Sequence, residues 1–376
     1  MKKFFVLICL FAFTIYCKAQ LIKGDERTEE YLPLLENKAV GIVCNHTSMV
    51  KNKHLVDTLL DYKIKVKRIF TPEHGFKGSE EAGKLINGVK MYRDSIAIVS
   101  LYGKNKKPTK KQMEDLDIVL FDLQDVGCRF YTYISTLEYL ISAAIENNKE
   151  VIVLDRPNPN NYVAGPVLKD ECKSFVGMQN IPICYGLTIG EYAKMINEEH
   201  LVKKDSVCRL NVIPMQNYDR DSVYTMDVYP SPNLHSMQAI KNYPSLCLFE
   251  GTAISVGRGT ETPFELIGFD KYPNKIFGFI PIKIKGVSEN PPYKNKKCYG
   301  KKVQIQSKDI DLQYLIEMYD AYKNKEEFFN PMFDLLAGNK KLKEQIKQNI
   351  NQEKIKQGWQ KDLQDYLKIR NKYLMY

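Results

Sequence analysis

After its N-terminal stretch the chain has no apolar run of the ~20 residues that a helical membrane span needs. It also lacks the phosphate-cradling GxxxxGK[ST]. Its best-placed glycine pair, Gly257 and Gly259, meets Thr262 where GxGxxG demands a third glycine. A nucleotide therefore has no fingerprint here. HExxH is missing, and the five histidines are scattered. The cysteines at 44, 128, 172, 184, 208, 247 and 298 form no CxxC and no other metal-ligand spacing. No cofactor and no metal is expected, and those seven thiols, several inside apolar runs, read as free and buried. There is no internal repeat, no low-complexity linker and no nucleic-acid-binding motif.

What is present is material for a large core. The 376 residues are 44% hydrophobic and 27% charged, with 24 Tyr and 17 Phe, and the length suggests more than one domain. Lys2 and Lys3, the apolar run from Phe4 to Tyr16 and the small residue Ala19 follow the order of a secretory signal peptide, residues 1–19. The expected location is periplasmic or secreted. Lipoprotein anchoring would need Cys17, which the bulky Ile15-Tyr16 before it suits poorly. Cleavage would lower the formal charge from +10 to +7, most of it in 339–376, where ten Lys/Arg face four Asp/Glu. There the lysines alternate with Gln, Asn and acids along helical faces, a solvated surface rather than a nucleic-acid site.

Between about residues 38 and 215, short apolar runs alternate with helical segments. Ala39–Cys44, Val66–Thr71, Ile96–Leu101, Ile118–Asp122, Val151–Asp155 and Leu210–Ile213 are nearly continuously apolar, as strands of a parallel sheet covered on both faces must be. Residues 55–62, 110–116, 133–147 and 188–199 read as helices. The fold class is α/β: a Rossmann-like domain over 20–245 and a smaller α+β domain over 246–376, with a cleft between them. Strand-like pieces are expected at Pro281–Lys285 and Lys301–Gln306. A final helix carrying Ile355, Trp359, Leu363, Leu367 and Arg370 on one face should dock on the body.

In such a sheet, ligands collect beyond the carboxyl ends of the strands. Four polar clusters stand there: Asn45-His46-Thr47-Ser48, Thr71-Pro72-Glu73-His74-Gly75-Phe76, Asp122 through Tyr133, and Asp155-Arg156-Pro157-Asn158-Pro159. Glu73 lies on a loop made rigid by Pro72 and turned by Gly75, flanked by Phe70 and Phe76, surroundings that suit a general acid. Asp122 and Asp155 also read as loop caps or partners of Arg129 and Arg156. Asn45, Gln124, Asn158 and Asn233 have the paired donors and acceptors that suit sugar hydroxyls and amides, and Tyr131 and Tyr133 offer aromatic faces. A fifth element runs from Glu250-Gly251-Thr252 to Gly257-Arg258-Gly259-Thr260-Glu261, where Arg258 can fork onto a carboxylate.

These five elements, in this order, resemble the exo-β-N-acetylmuramidase (NamZ-type) family, glycoside hydrolase family 171, long filed as a domain of unknown function. The resemblance covers essentially the whole chain after the signal segment. It implies an exported enzyme that releases terminal non-reducing β-1,4-linked N-acetylmuramic acid from peptidoglycan fragments, with muropeptides or disaccharides as partners. Glu73 becomes the leading catalytic residue, with His74 and Asp125 beside it. Substrate contacts are expected from Asn45, His46, Gln124, Arg129, Tyr131, Tyr133, Asn158, Asn233, Glu250, Arg258, Thr260 and Glu261. Muramic acid differs from glucosamine by a lactyl carboxylate, for which Arg258 ranks first and Arg129 second. Two other readings are weighed. A metal-dependent phosphoester hydrolase would use Glu73, Asp122, Asp125 and Asp155, and a non-catalytic envelope protein would bind glycan without turnover.

Overall fold

The computed structural model describes residues 20–78, 90–93 and 96–376; the signal peptide expected over 1–19 lies outside them. The six apolar runs are strands, with edges within a residue of the expected ones: β1 (Ala39–Cys44), β2 (Lys65–Thr71), β4 (Ile96–Ser100), β5 (Ile118–Asp122), β6 (Glu150–Leu154) and β7 (Arg209–Ile213). A short strand not foreseen, β3 (Lys90–Tyr92), closes one edge. The sheet order is β7-β6-β5-β1-β2-β4-β3, parallel throughout except for β3 against β4. Every residue of β1 and β5 is buried, which is why neither strand alternates polar and apolar positions.

The chain leaves β1 toward β2 on one side and later returns to place β5 on the other. The topological switch point therefore lies at the carboxyl ends of β1 and β5, beside Asn45 and Leu123. Helices α1 (Leu55–Asp61), α2 (Lys110–Met113), α3 (Tyr133–Glu146) and α4 (Ile189–Glu198) follow their strands. In α4, Thr188 and Glu191 form a reciprocal capping box.

Helix α5 (Met237–Leu246) runs through the expected boundary at 245/246 and continues as a 3-10 turn, Cys247–Gly251. Beyond it lies a small antiparallel sheet of β8 (Leu266–Phe269), β9 (Gly278–Phe279) and β10 (Cys298–Lys302), with β10 central. The strand expected at Pro281–Lys285 is not there. That stretch is held instead by single contacts, Ile282 N to Gly259 O and Ile284 N to Ser288 O. The strand expected at Lys301–Gln306 lies earlier, because the register pairs Gly268 with Gly300.

Helices α6 (Gln313–Ala321), α7 (Met332–Ala337), α8 (Lys341–Lys347), α9 (Gln352–Gln357) and α10 (Gln360–Arg370) complete the chain. The single final helix expected across Ile355 to Arg370 is two, α9 and α10, parted at Gly358-Trp359, and together they dock on the first body. Ile355, Trp359 and Leu363 are buried. Tyr366 Oη donates to Tyr185 O (2.6 Å), and Arg370 Nε to Gly186 O (2.8 Å). The seven cysteines of the described chain are free and buried.

Candidate active site

The strand-end edge is not one crevice, and the residues expected from the sequence border two separate hollows of it. One, of about 430 Å³, opens between the parallel-sheet body and the loops around β8–β10. The other, of about 310 Å³, sits at the switch point, bordered by Thr47, Gln124 and Arg156. The segment 228–231 runs between them. Val228 borders the smaller hollow and Ser231 the larger, while Pro230 O accepts hydrogen bonds from both Tyr131 and Tyr133.

Glu73 reaches the larger cavity from the turn that follows β2. Gly75 N closes this turn on Pro72 O at 3.1 Å, with φ of 69° at His74 and 68° at Gly75. A left-handed conformation is costly for a residue with a β-carbon, of order 1–3 kcal/mol, and tends to persist where the surroundings hold it for a function. Here His74 is buried and its Nε2 lies 3.3 Å from Ser231 Oγ. Thr132 stands at the start of α3, where a hydroxyl normally caps the helix. Its side chain makes no cap bond and instead donates to Glu73 Oε2 at 3.0 Å. A helix-capping hydroxyl has thus been redirected to orient a carboxylate. Phe76, expected over that carboxylate, packs on His54 and Tyr92.

Across the cavity, Arg258 Nε donates to Glu250 Oε1 at 2.5 Å, and the guanidinium lies over the Phe264 ring, 5.2 Å from its centroid. Burial works against the Arg258 charge, but the Glu250 carboxylate outweighs it and holds the guanidinium more firmly protonated than usual. Nε is the only Arg258 nitrogen that hydrogen-bonds within the described residues, so its terminal fork is left for a ligand. The wall between is aromatic, with Tyr131 and Tyr243 edge to face at 6.0 Å and Tyr243 against Phe264 at 5.1 Å.

Of the residues expected from the sequence, Glu73, His74, Tyr131, Tyr133, Asn233, Glu250 and Arg258 line this cavity. The others do not. Asp125 is sealed in the protein: its Oδ2 accepts from Tyr185 Oη (2.5 Å) and Gly127 N (2.6 Å), and burial pushes its pKa up to about 7. It cannot touch a ligand there. Arg129 is fully buried, donating to Pro166 O, Ile181 O and Leu336 O at 2.8–2.9 Å, and burial pushes it down to about 10. It ties α7, whose Met332 and Leu336 wall the cavity, to the main body. Asn45 donates to Tyr133 Oη and accepts from Thr47, and His46 Nε2 lies 2.8 Å from Tyr229 O. Gln124 donates to Asp125 O and Pro157 O, and Asn158 braces Leu187 and Asn160. Thr260 closes its own turn onto Gly257 O, and the backbone carbonyl of Glu261 faces His235.

The carboxylates of the phosphoester reading do not converge. Arg156 clamps Asp122 through Nε (2.5 Å) and Nη2 (2.9 Å), and reaches Asp25 at 2.7 Å. Asp155 is held by Thr188, Gly190 and Tyr376. With Asp125 closed off by Tyr185 and Gly127, each is spent on a different set of protein donors, and the set does not fit a shared ion. Thr132, Ser231, Tyr243 and Asn290 line the cavity without having been expected. Thr132 belongs to the Asp122–Tyr133 cluster. Asn290, in the Pro/Lys-rich stretch, gave no signal.

Comparison with known proteins decides the family. The model for the N-terminal part of "Exo-beta-N-acetylmuramidase NamZ" matches residues 40–238, and that for its C-terminal part matches 241–376. The chain belongs to the NamZ family. A NamZ relative from Bacillus subtilis (strain 168), a peptidoglycan β-N-acetylmuramidase, is 36% identical over 377 aligned positions, spanning 94% of this chain and 90% of its own. Two crystal structures of DUF1343 family proteins from Bacteroides fragilis NCTC 9343 share the fold. One has a TM-score of 0.87 at 40% identity, the other 0.81 at 28%, each over 95% of this chain and 99% of its own. The NamZ motifs split physically: Thr71–Gly75 and Glu250–Arg258 build the cavity, while Asp155–Pro159 builds the frame beneath it.

Proposed function

We propose that this NamZ-family chain is an exo-acting glycosidase that releases terminal β-1,4-linked N-acetylmuramic acid from the non-reducing end of peptidoglycan fragments, in cell-wall turnover. The observation that carries the reading at the atomic level is Glu73, held by Thr132 at the wall of a cavity of about 430 Å³, a size suited to a small ligand. Thr132 occupies Oε2, and Oε1, with no hydrogen bond among the described residues, is the oxygen turned to substrate. In the protonated form it delivers a proton to the departing glycosidic oxygen. Arg258 reads the lactyl carboxylate with its free fork, and Glu250 and Phe264 hold it in place. The Lys2–Ala19 sequence supports export to the periplasm or medium.

The test is release of chromophore from an aryl β-N-acetylmuraminide, with the matching N-acetylglucosaminide as control. Hydrolysis of the muraminide with little or none of the glucosaminide is expected. Binding of muropeptides without turnover would replace the enzyme reading with that of a glycan-binding protein.

A further inference from the structure

Two stretches of this chain are rich in lysine, and they are built differently. In 339–376 the lysines pair with acids: Lys343 with Asp334, Lys356 with Asp309, Lys368 with Asp365, Lys372 with Glu199. The apolar residues between them, Ile355, Leu363 and Tyr366, are buried against the body. In 271–302 the sequence has nine lysines and a single acid, Glu289; Lys283 pairs with it and Lys301 with Glu317, and the other seven form no ion pair among the described residues. The apolar residues there point outward. Ile276 is 94% exposed, and Ile280 and Ile282 are each 51% exposed. The alternation is that of an extended strand: positions 276, 280 and 282 face out, with Gly278 between them, while Phe277 and Phe279 are partly covered and Pro281 is buried.

We infer that this β9–β10 surface docks on an anionic lipid membrane, with Ile276, Ile280 and Ile282 entering the headgroup region and the surrounding lysines meeting lipid phosphates. Exposed large apolar side chains gathered on one face of an extended segment mark an interaction surface. Their interleaving with lysines at this density selects a partner that is apolar and anionic at once, which a soluble polyanion is not. The lysines are also laid over aromatic rings. Lys275 Nζ and Lys297 Nζ lie 4.0 and 5.3 Å from the centroid of Tyr299, which pairs with Gly278 on the isoleucine side, so ammonium groups border that face. The same segment continues through Ser288, Asn290 and Pro291, which line the Glu73 cavity. Docking therefore sets the cavity beside the lipid surface. The inference does not depend on the reaction assigned to that cavity.

The full chain is sedimented with phosphatidylglycerol-rich vesicles and with pure phosphatidylcholine vesicles, at low and high salt, and with soluble polyphosphate as competitor. Partition onto anionic vesicles at least ~10-fold above that onto phosphatidylcholine is expected, falling with salt. Replacing Lys271, Lys275, Lys296 and Lys297 by Gln should remove it, since each lysine near the surface is worth about fivefold. Ile276→Ser/Ile280→Ser/Ile282→Ser should lower it ~10-fold or more while leaving polyphosphate binding and the thermal melting curve as in the parent. Equal partition onto both vesicle types overturns the inference. So does anionic binding that the isoleucine variant leaves intact, an outcome that makes the patch a polyanion site.

Discussion

The two hollows at the sheet's carboxyl edge have the same kinds of residue around them and opposite bookkeeping. At the switch point, Asp122, Asp25 and Arg156 answer one another: both Asp122 oxygens and one of Asp25 are taken by the guanidinium. In the larger cavity, Glu73 has one oxygen held by Thr132 and the other open, and Arg258 has one nitrogen held by Glu250 and its fork open. A charged group closed in the protein supports the fold, even where one oxygen, as in Asp25 and Asp125, has no partner; one whose unanswered half lines an open cavity awaits a ligand. Position at a strand end does not distinguish the two. The census of partners, taken with access to the cavity, does.

Four substitutions sharpen that contrast, in descending order of effect. Glu73→Gln should lower kcat/KM on a muramyl disaccharide by ~10²–10⁴, the usual worth of a general acid, with an unchanged melting temperature; near-parent turnover removes Glu73 from the reaction. Arg156→Ala should do the reverse. Leaving Asp122 and Asp25 buried and unanswered costs about 3–5 kcal/mol in stability, read by urea unfolding, while the folded fraction keeps its specific activity. Arg258→Ala should narrow the preference for muraminide over glucosaminide substrates by ~1.5–3 kcal/mol, the value of a hydrogen bond to a charged group. An unchanged ratio would assign the lactyl group to neutral donors.

The smallest effect is one of pH. Burial raises Asp125 from its ordinary value of 3.8 to about 7. From about pH 4 to about pH 7 the folded protein holds this proton and the unfolded chain has lost it. Asp125 therefore contributes its full stability below about pH 4 and loses it as pH rises through 7, with a slope of up to about 1.4 kcal/mol per pH unit. Asp125→Asn should flatten that slope in urea unfolding across the window and leave hydrolysis within a few-fold of the parent. A loss of activity as large as that of Glu73→Gln would return Asp125 to the reaction.

The sheet was legible because a strand buried on both faces declares itself locally, as Ile118–Asp122 does to the residue. Glu73 was legible because proline, glycine and a strand end lie next to it in the chain. Some buried braces were illegible because their partners are distant. Arg129 is answered by Leu336, 207 residues away, and Asp155 by Tyr376, 221 residues away. Such partners leave no mark on the local sequence, so a buried brace and a ligand contact read alike. The small sheet was misplaced for a related reason: its register follows from the close approach of Gly268 to Gly300, not from alternating side chains.

The most direct test of Glu73 as the proton donor is the leaving-group dependence of Glu73→Gln on a graded series of aryl β-N-acetylmuraminides, against the parent. A good leaving group needs no proton, and a poor one does. The account predicts near-parent kcat/KM for the most acidic phenols and a loss widening toward ~10²–10⁴ for the least acidic. An equal loss across the series would contradict it, since that pattern belongs to a residue that only binds or shapes the site.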